Sequence, residues 1–170
     1  SNTRFIVGTA LYTAPFTPPT AALTAVTNTK LLTCQNSTII DNSTNAFTIT
    51  NTGSVFTRIE YPFAVAPTYS NYFSGSSTNL NIPNQSTFNP GTSDYCVEGW
   101  FYFNSLPGTG IMGMFGLNQG SGSNPKFSGY IDTSGYIHYD MTLSGGASQI
   151  TSSTAVITGR WYHIAWVRSS

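Results

Sequence analysis

Residues 94–106 read DYCVEGWFYFNSL. In an extended chain successive side chains point to opposite faces, so Cys96, Glu98 and Trp100 share one face and Tyr95, Val97 and Phe101 the other. Aromatic and β-branched residues at this density suit a pleated, largely buried strand. Pro107, Gly108 and Gly110 end it, and IMGMFGLNQ (111–119) follows as a return strand.

Working outward, the same grammar repeats. KFSGYIDTSGYIHYDM (126–141) reads as a hairpin whose turn is Asp132-Thr133-Ser134-Gly135, with Tyr130 and Asp132 on one face and Ile131 on the other. ASQITSSTAVITG (147–159) alternates weakly, and RWYHIAWVR (160–168) is a strongly apolar strand. Upstream, TRFIVGTALY (3–12), TKLLTCQ (29–35), AFTIT (46–50) and SVFTRIEY (54–61) predict further short strands. Asn51-Thr52-Gly53 predicts a hairpin turn between the last two. SNYFSGSSTNLNIPN (70–84) predicts two strands about a turn at Gly75, ended by Pro83. Pro15, Pro18 and Pro19 remove backbone donors, so residues 14–28 read as a linker rather than sheet. No segment holds a helical period, and turns recur every 8 to 12 residues or so. The expectation is an all-β antiparallel sandwich.

Composition narrows the functional classes. The 170 residues have a formal net charge of +0, and charged residues are 7% of the chain, roughly a third or less of the usual share. The basic residues Arg4, Lys30, Arg58, Lys126, Arg160 and Arg168 are scattered, which argues against nucleic acid as a partner. No apolar run nears the roughly 20 residues that a helix needs to cross a bilayer. The surface must be largely Ser, Thr, Asn and Gly, which is characteristic of extracellular and virion-surface β proteins. Cys34 and Cys96 are the only cysteines. They are a candidate disulfide, although two separate buried thiols are the simpler reading.

The stretches YFSGSSTNLNIPNQSTFNPGTSDYCVEGWFYF (72–103) and TGRWYHIAWVRSS (158–170) resemble the laminin-G-like, concanavalin A-type lectin/glucanase domain. LLTCQNSTIIDNSTNAFTIT (31–50) is similar to the leader strands of the versions that bacteriophages carry in tandem within virion proteins. The resemblance implies a jelly-roll sandwich over residues 31–170, with residues 14–30 as a Pro/Thr-rich linker. It implies that residues 1–13 are the closing strand of a preceding repeat, or a permuted strand. The expectation is a fragment of a longer repeat protein, with one hairpin of the sandwich outside the window.

Chemistry-bearing residues are few. The related glucanases use paired carboxylates at alternate positions on one strand, and glycoside hydrolysis wants two acids roughly 5 to 10 Å apart. Glu98 has no such companion, and Asp94 is a poor one, so no catalytic residue is assigned. His138 and His163 lack metal-ligand spacing, and His163 reads as a packing residue. Calcium takes oxygen ligands on sheet-rim loops, which makes Asp132 and Asp140 its candidates; alternatively Asp132 is a turn former. Tyr130, Tyr136 and Tyr139 flank a small polar turn and are candidates for stacking a sugar ring, although aromatics in a β-sandwich are more often core.

These readings point to a non-enzymatic structural or adhesive module of a phage fibre, tail or capsid-surface protein, located on the virion surface. Its expected partners are copies of itself, other virion proteins or host surface glycans. A homotrimer is the expectation of the class. The expected cofactor is none, with calcium as the exception above. The alternative is a secreted or cell-surface carbohydrate-binding lectin or adhesin.

Overall fold

The computed structural model describes residues 2–63, 69–75, 77–117, 126–143 and 146–169. The strands are β1 (Thr3–Val7), β2 (Thr29–Thr33), β3 (Thr50–Thr52), β4 (Val55–Arg58), β5 (Ser70–Phe73), β6 (Asn79–Asn81), β7 (Tyr95–Tyr102), β8 (Ile111–Leu117), β9 (Lys126–Asp132), β10 (Ile137–Leu143), β11 (Gly146–Thr151) and β12 (Trp161–Arg168). Among the described residues a 3-10 turn, Ser86–Phe88, interrupts them and no α-helix occurs. The chain is all-β, as its alternation predicts. It divides into two compact units, one of residues 1–101 with 162–170 and one of residues 102–161.

The first unit is built on a sheet of order β12-β7-β1-β2. β1 runs antiparallel to both neighbours, with Arg4 opposite Leu32 on one side and Glu98 on the other. Both central strands are buried on their two faces: Phe5, Ile6, Tyr95, Cys96 and Val97 are core residues. Phe88 stacks on Phe5 at 5.5 Å between ring centroids and Phe47 packs on Phe88 at 5.3 Å. The register shifts between Phe5 and Ile6, a bulge that leaves the Lys30 carbonyl to accept from Ser43 Oγ and Asn45 Nδ2.

Three expectations need correcting here. AFTIT forms no strand before Thr50. The buried carboxylate of Asp41 accepts instead from the amides of Leu32, Ser43 and Phe47, which draws Phe47 away from any ladder. Asn51-Thr52-Gly53 does not turn a hairpin either: β3 pairs with β6 and β4 with β5. The four strands are thus two arms of one interrupted ladder, and Gly53 lies against Ser77 and Thr78 of the opposite arm. Gly75 likewise interrupts an arm, since β5 and β6 do not pair with each other. Cys34 and Cys96 are free and buried, as the simpler reading of two separate thiols has it, so the candidate disulfide does not form.

The second unit contains a sheet of order β11-β10-β9-β8. The Asp132–Gly135 hairpin forms where its turn chemistry predicts. Gly135 N–H donates to Asp132 O at 3.1 Å and Asp132 N–H to Tyr136 O at 3.0 Å. Phe127, Ile131 and Tyr139 line the buried face of this sheet. The return strand β8 also forms as expected; residues 118 and 119 of the expected strand lie outside the described residues.

Candidate functional site

Alternation along β7 places Cys96, Glu98 and Trp100 on one face, and the antiparallel register sets Arg4 of β1 directly opposite Glu98. Glu98 is 0% exposed, so each lone pair of its carboxylate needs a protein donor. Arg4 supplies Nε at 2.9 Å and Nη2 at 2.5 Å, both to Oε1. Tyr12 O–H donates to Oε2 at 2.7 Å, and His163 Nε2 of β12 lies 3.0 Å from the same oxygen. A carboxylate only accepts, so Nε2 of the imidazole is the donor in this contact. The remaining guanidinium nitrogen, Nη1, donates to Thr24 O.

Aromatic rings enclose this carboxylate. Tyr12 and Phe16 stack at 3.7 Å between centroids, and both meet the His163 ring edge-on, at 5.9 and 5.7 Å. Trp100 packs on His163 at 5.3 Å, and Phe63 on Trp100 at 5.7 Å. Burial alone would lift the Glu98 carboxyl, but hydrogen bonds from His163, Tyr12 and Arg4 outweigh it and hold the group below its ordinary range. Burial, and then the Glu98 charge, push the Cys96 thiol up to about 12. Burial first, then the hydrogen bond to Glu98 and its charge, raise the Tyr12 phenol.

Such a carboxylate has no free oxygen with which to attack or protonate a substrate. Asp94 lies four residues before Glu98, about 13 Å along an extended chain, beyond the separation that paired-carboxylate hydrolysis uses. The scatter of charges concealed that Arg4 belongs to this cluster. Its signal was local: a cation inside TRFIV, at a position that β1 alternation aligns with the apolar Ile6. Tyr12 left no comparable signal, because it lies beyond the end of β1.

The hairpin residues fall out differently. On the outward face of the second unit's sheet, Tyr130 stands opposite His138, and their rings stack at 4.9 Å with planes 10° apart. His138 is fixed at both nitrogens, by Asp132 Oδ2 at 2.9 Å and Thr151 Oγ1 at 3.1 Å. Gln149 Nε2 donates to Tyr130 Oη at 2.9 Å and to Asp140 Oδ1 at 2.8 Å. Tyr136 is 37% exposed at the end of the turn.

Tyr139 is 6% exposed, on the buried face with Phe127. The three tyrosines therefore do not form one patch: Tyr139 is a core residue and offers no ring face to a sugar. Asp132 and Asp140 are not brought together either. Asp140 pairs with Ser128, four residues along β9 from Asp132, which is about 13 Å. Asp132 Oδ1 already accepts from the amides of Ser134 and Tyr136, as a turn former does. Among the described residues no group of three or more His, Cys, Asp or Glu side chains could hold a metal ion.

Comparison with known proteins adds one match. Residues 74–170 match a laminin-G-type family described as the concanavalin A-like lectin/glucanases superfamily. No curated protein and no solved structure matches the chain. The matched region holds Glu98, Trp100, His163 and the whole Tyr130–Gln149 face; Arg4 and Tyr12, which complete the buried cluster, lie before it. The match takes in more than half of the chain, so this protein, an antiparallel β-sandwich by class, belongs to the concanavalin A-like lectin/glucanases superfamily.

Proposed function

We propose that this chain is a non-enzymatic adhesive module of a virion-surface fibre, tail or capsid protein. The observation that carries the reading is the condition of Glu98: both oxygens are tied to Arg4, Tyr12 and His163 beneath stacked rings. An acid so committed acts as a structural tie. The virion setting is supported by the near-absence of charge and by the Ser, Thr and Asn content. Its partners are other copies of itself or other virion proteins. Quantitative proteomics of purified particles against purified cells tests it. Recovery with the particles is expected, and recovery only from particle-free cells overturns it.

A second reading, a carbohydrate-binding lectin, is favoured by the Tyr130–His138 pile on an open sheet face with Tyr136 beside it. The carboxylates of Asp132 and Asp140 flank that pile, which favours neutral over acidic sugars. A glycan array of the full chain should then give saturable binding that Tyr136→Ala and Tyr130→Ala abolish. Binding unchanged by both substitutions removes this face from consideration.

A further inference from the structure

Residues 8–28 leave the first unit's sheet after β1 and return to it at β2, with their two ends held together. Val7 N–H donates to Asn28 O at 3.3 Å, and Asn28 Nδ2 to Thr9 Oγ1 at 3.0 Å. Gly8 (φ 97°) and Asn28 (φ 68°) are both left-handed, a conformation that these two residue types enter at least cost. The segment contains no strand, and Phe16, within a mostly exposed stretch, is 43% exposed.

At its return end Val26 closes a turn on Thr29, its N–H donating to Thr29 Oγ1 at 2.9 Å and its carbonyl accepting from Thr29 N–H at 3.0 Å; elsewhere few contacts fasten it to the sheet face. Tyr12 reaches Glu98, Thr24 O accepts from Arg4, and the Leu11 backbone hydrogen-bonds the Cys96 sulfur. Leu23 is buried, and the Tyr12–Phe16 stack rests edge-on against His163. His163 lies directly beneath that stack, Trp100 packs on the far side of His163, and the Trp100 amide donates to Asn2 O, just before β1. Asn2 Oδ1, Trp100 Nε1 and His163 Nδ1 are buried there without a hydrogen-bond partner among the described residues. Admitting water to such atoms offsets part of the cost of breaking the contacts above them. A segment with a pre-formed hinge, few anchors and unsatisfied atoms below it sits at the low-stability end of a fold.

We propose that residues 9–27 are a hinged strap that opens as one piece about Gly8 and Asn28 while the β2-β1-β7 ladders stay paired. Tyr12 on Glu98 is its clasp. Opening exposes Cys96 and His163, and the strap decides when these groups meet solvent.

Cys96 lies under the strap with its thiol buried, so native-state thiol labelling of the full chain, read site by site by mass spectrometry across low urea, tests the proposal. Cys96 should label with a urea slope well below that of global unfolding measured by circular dichroism. Tyr12→Phe removes one hydroxyl and keeps the ring; it should speed Cys96 labelling about ten- to a hundredfold while that slope stays shallow. Cys96 labelling that follows global unfolding in its urea slope overturns the strap. So does a Cys96 rate that Tyr12→Phe leaves unchanged. The conservative substitution keeps the measurement on a folded chain.

Discussion

Arg4 stands directly across the β1–β7 ladder from Glu98, and two of its guanidinium nitrogens close on the same carboxylate oxygen, Oε1. Both side chains are shut away from water, at 7% and 0% exposure. Two opposite charges in that position are worth little as a net gain over apolar residues, but removing one strands the other. Glu98→Gln keeps the shape and deletes the charge, leaving Arg4 buried and uncompensated. The expected loss of unfolding free energy in urea is about 3–5 kcal/mol. A loss below about 1 kcal/mol would mean that water reaches Arg4 and that the pair is not a structural tie.

The same carboxylate sets a pH dependence whose sign follows from its surroundings. Burial works to raise it, and the hydrogen bonds from His163, Tyr12 and Arg4 win, so the folded value lies below the unfolded one of about 4.3. Stability from such a group is fully present above the unfolded value and is lost as pH falls through the folded one. Asp132, held down chiefly by its hydrogen bond from His138, contributes with the same sign. The urea midpoint should therefore be level from pH 7 to about 5 and drop below about pH 4. In Glu98→Gln the drop should be shallower. Superimposable profiles for the two proteins would assign the acid limb to other carboxylates.

How much of this could be read beforehand depended on whether the deciding interaction was local. β7 and the Asp132–Gly135 hairpin were legible because alternation and turn chemistry act within a few residues of each other. AFTIT alternates just as well, yet Asp41 takes the Phe47 amide, and no local pattern announces a carboxylate that gathers amides from β2 and from its own loop. Asn51-Thr52-Gly53 carries genuine turn residues, but the partner of β3 is β6, some thirty positions downstream. Glu98 was recognisable as a charge on a buried strand. Its partners were not, because Arg4 and His163 are 94 and 65 residues away in sequence. The tyrosines of the hairpin show the same division: their alternation is plain, and which face is buried depends on the rest of the unit.

Gly135 closes the hairpin turn with φ 87°, and a Cβ placed there would come within 3.1 Å of Val156 O. That carbonyl belongs to a residue whose own amide donates to Gly135 O at 2.8 Å, so neither side can yield freely. Gly135→Ala should cost about 1–2 kcal/mol for the left-handed backbone alone, a fall of several degrees in Tm for a chain of this size. Gly108 is the internal control: no positive φ, and no atom within 4 Å of a built Cβ. Gly108→Ala should leave Tm unchanged or raise it by about 1–4 °C. Equal effects at the two positions would show that the turn at 132–135 is not held in the geometry described.

Cys34 and Cys96 cannot meet in this sheet. β1 lies between β2 and β7, with Thr3 opposite Thr33 and Ile6 opposite Cys96. Cys34 is therefore level with residue 2, about four residues, or 13 Å, along the strands from Cys96 and about 10 Å across them. A disulfide needs Cα atoms within about 7 Å. Burial pushes the Cys34 thiol up to about 11 and the Cys96 thiol up to about 12, so neither supplies thiolate for oxidation at neutral pH. Quantitative alkylation in denaturant should find both thiols free, and the thermal midpoint should be the same with and without reductant. A midpoint that falls on reduction would require Cys34 and Cys96 to be bridged, and with it a different register for β1 against one of its neighbours.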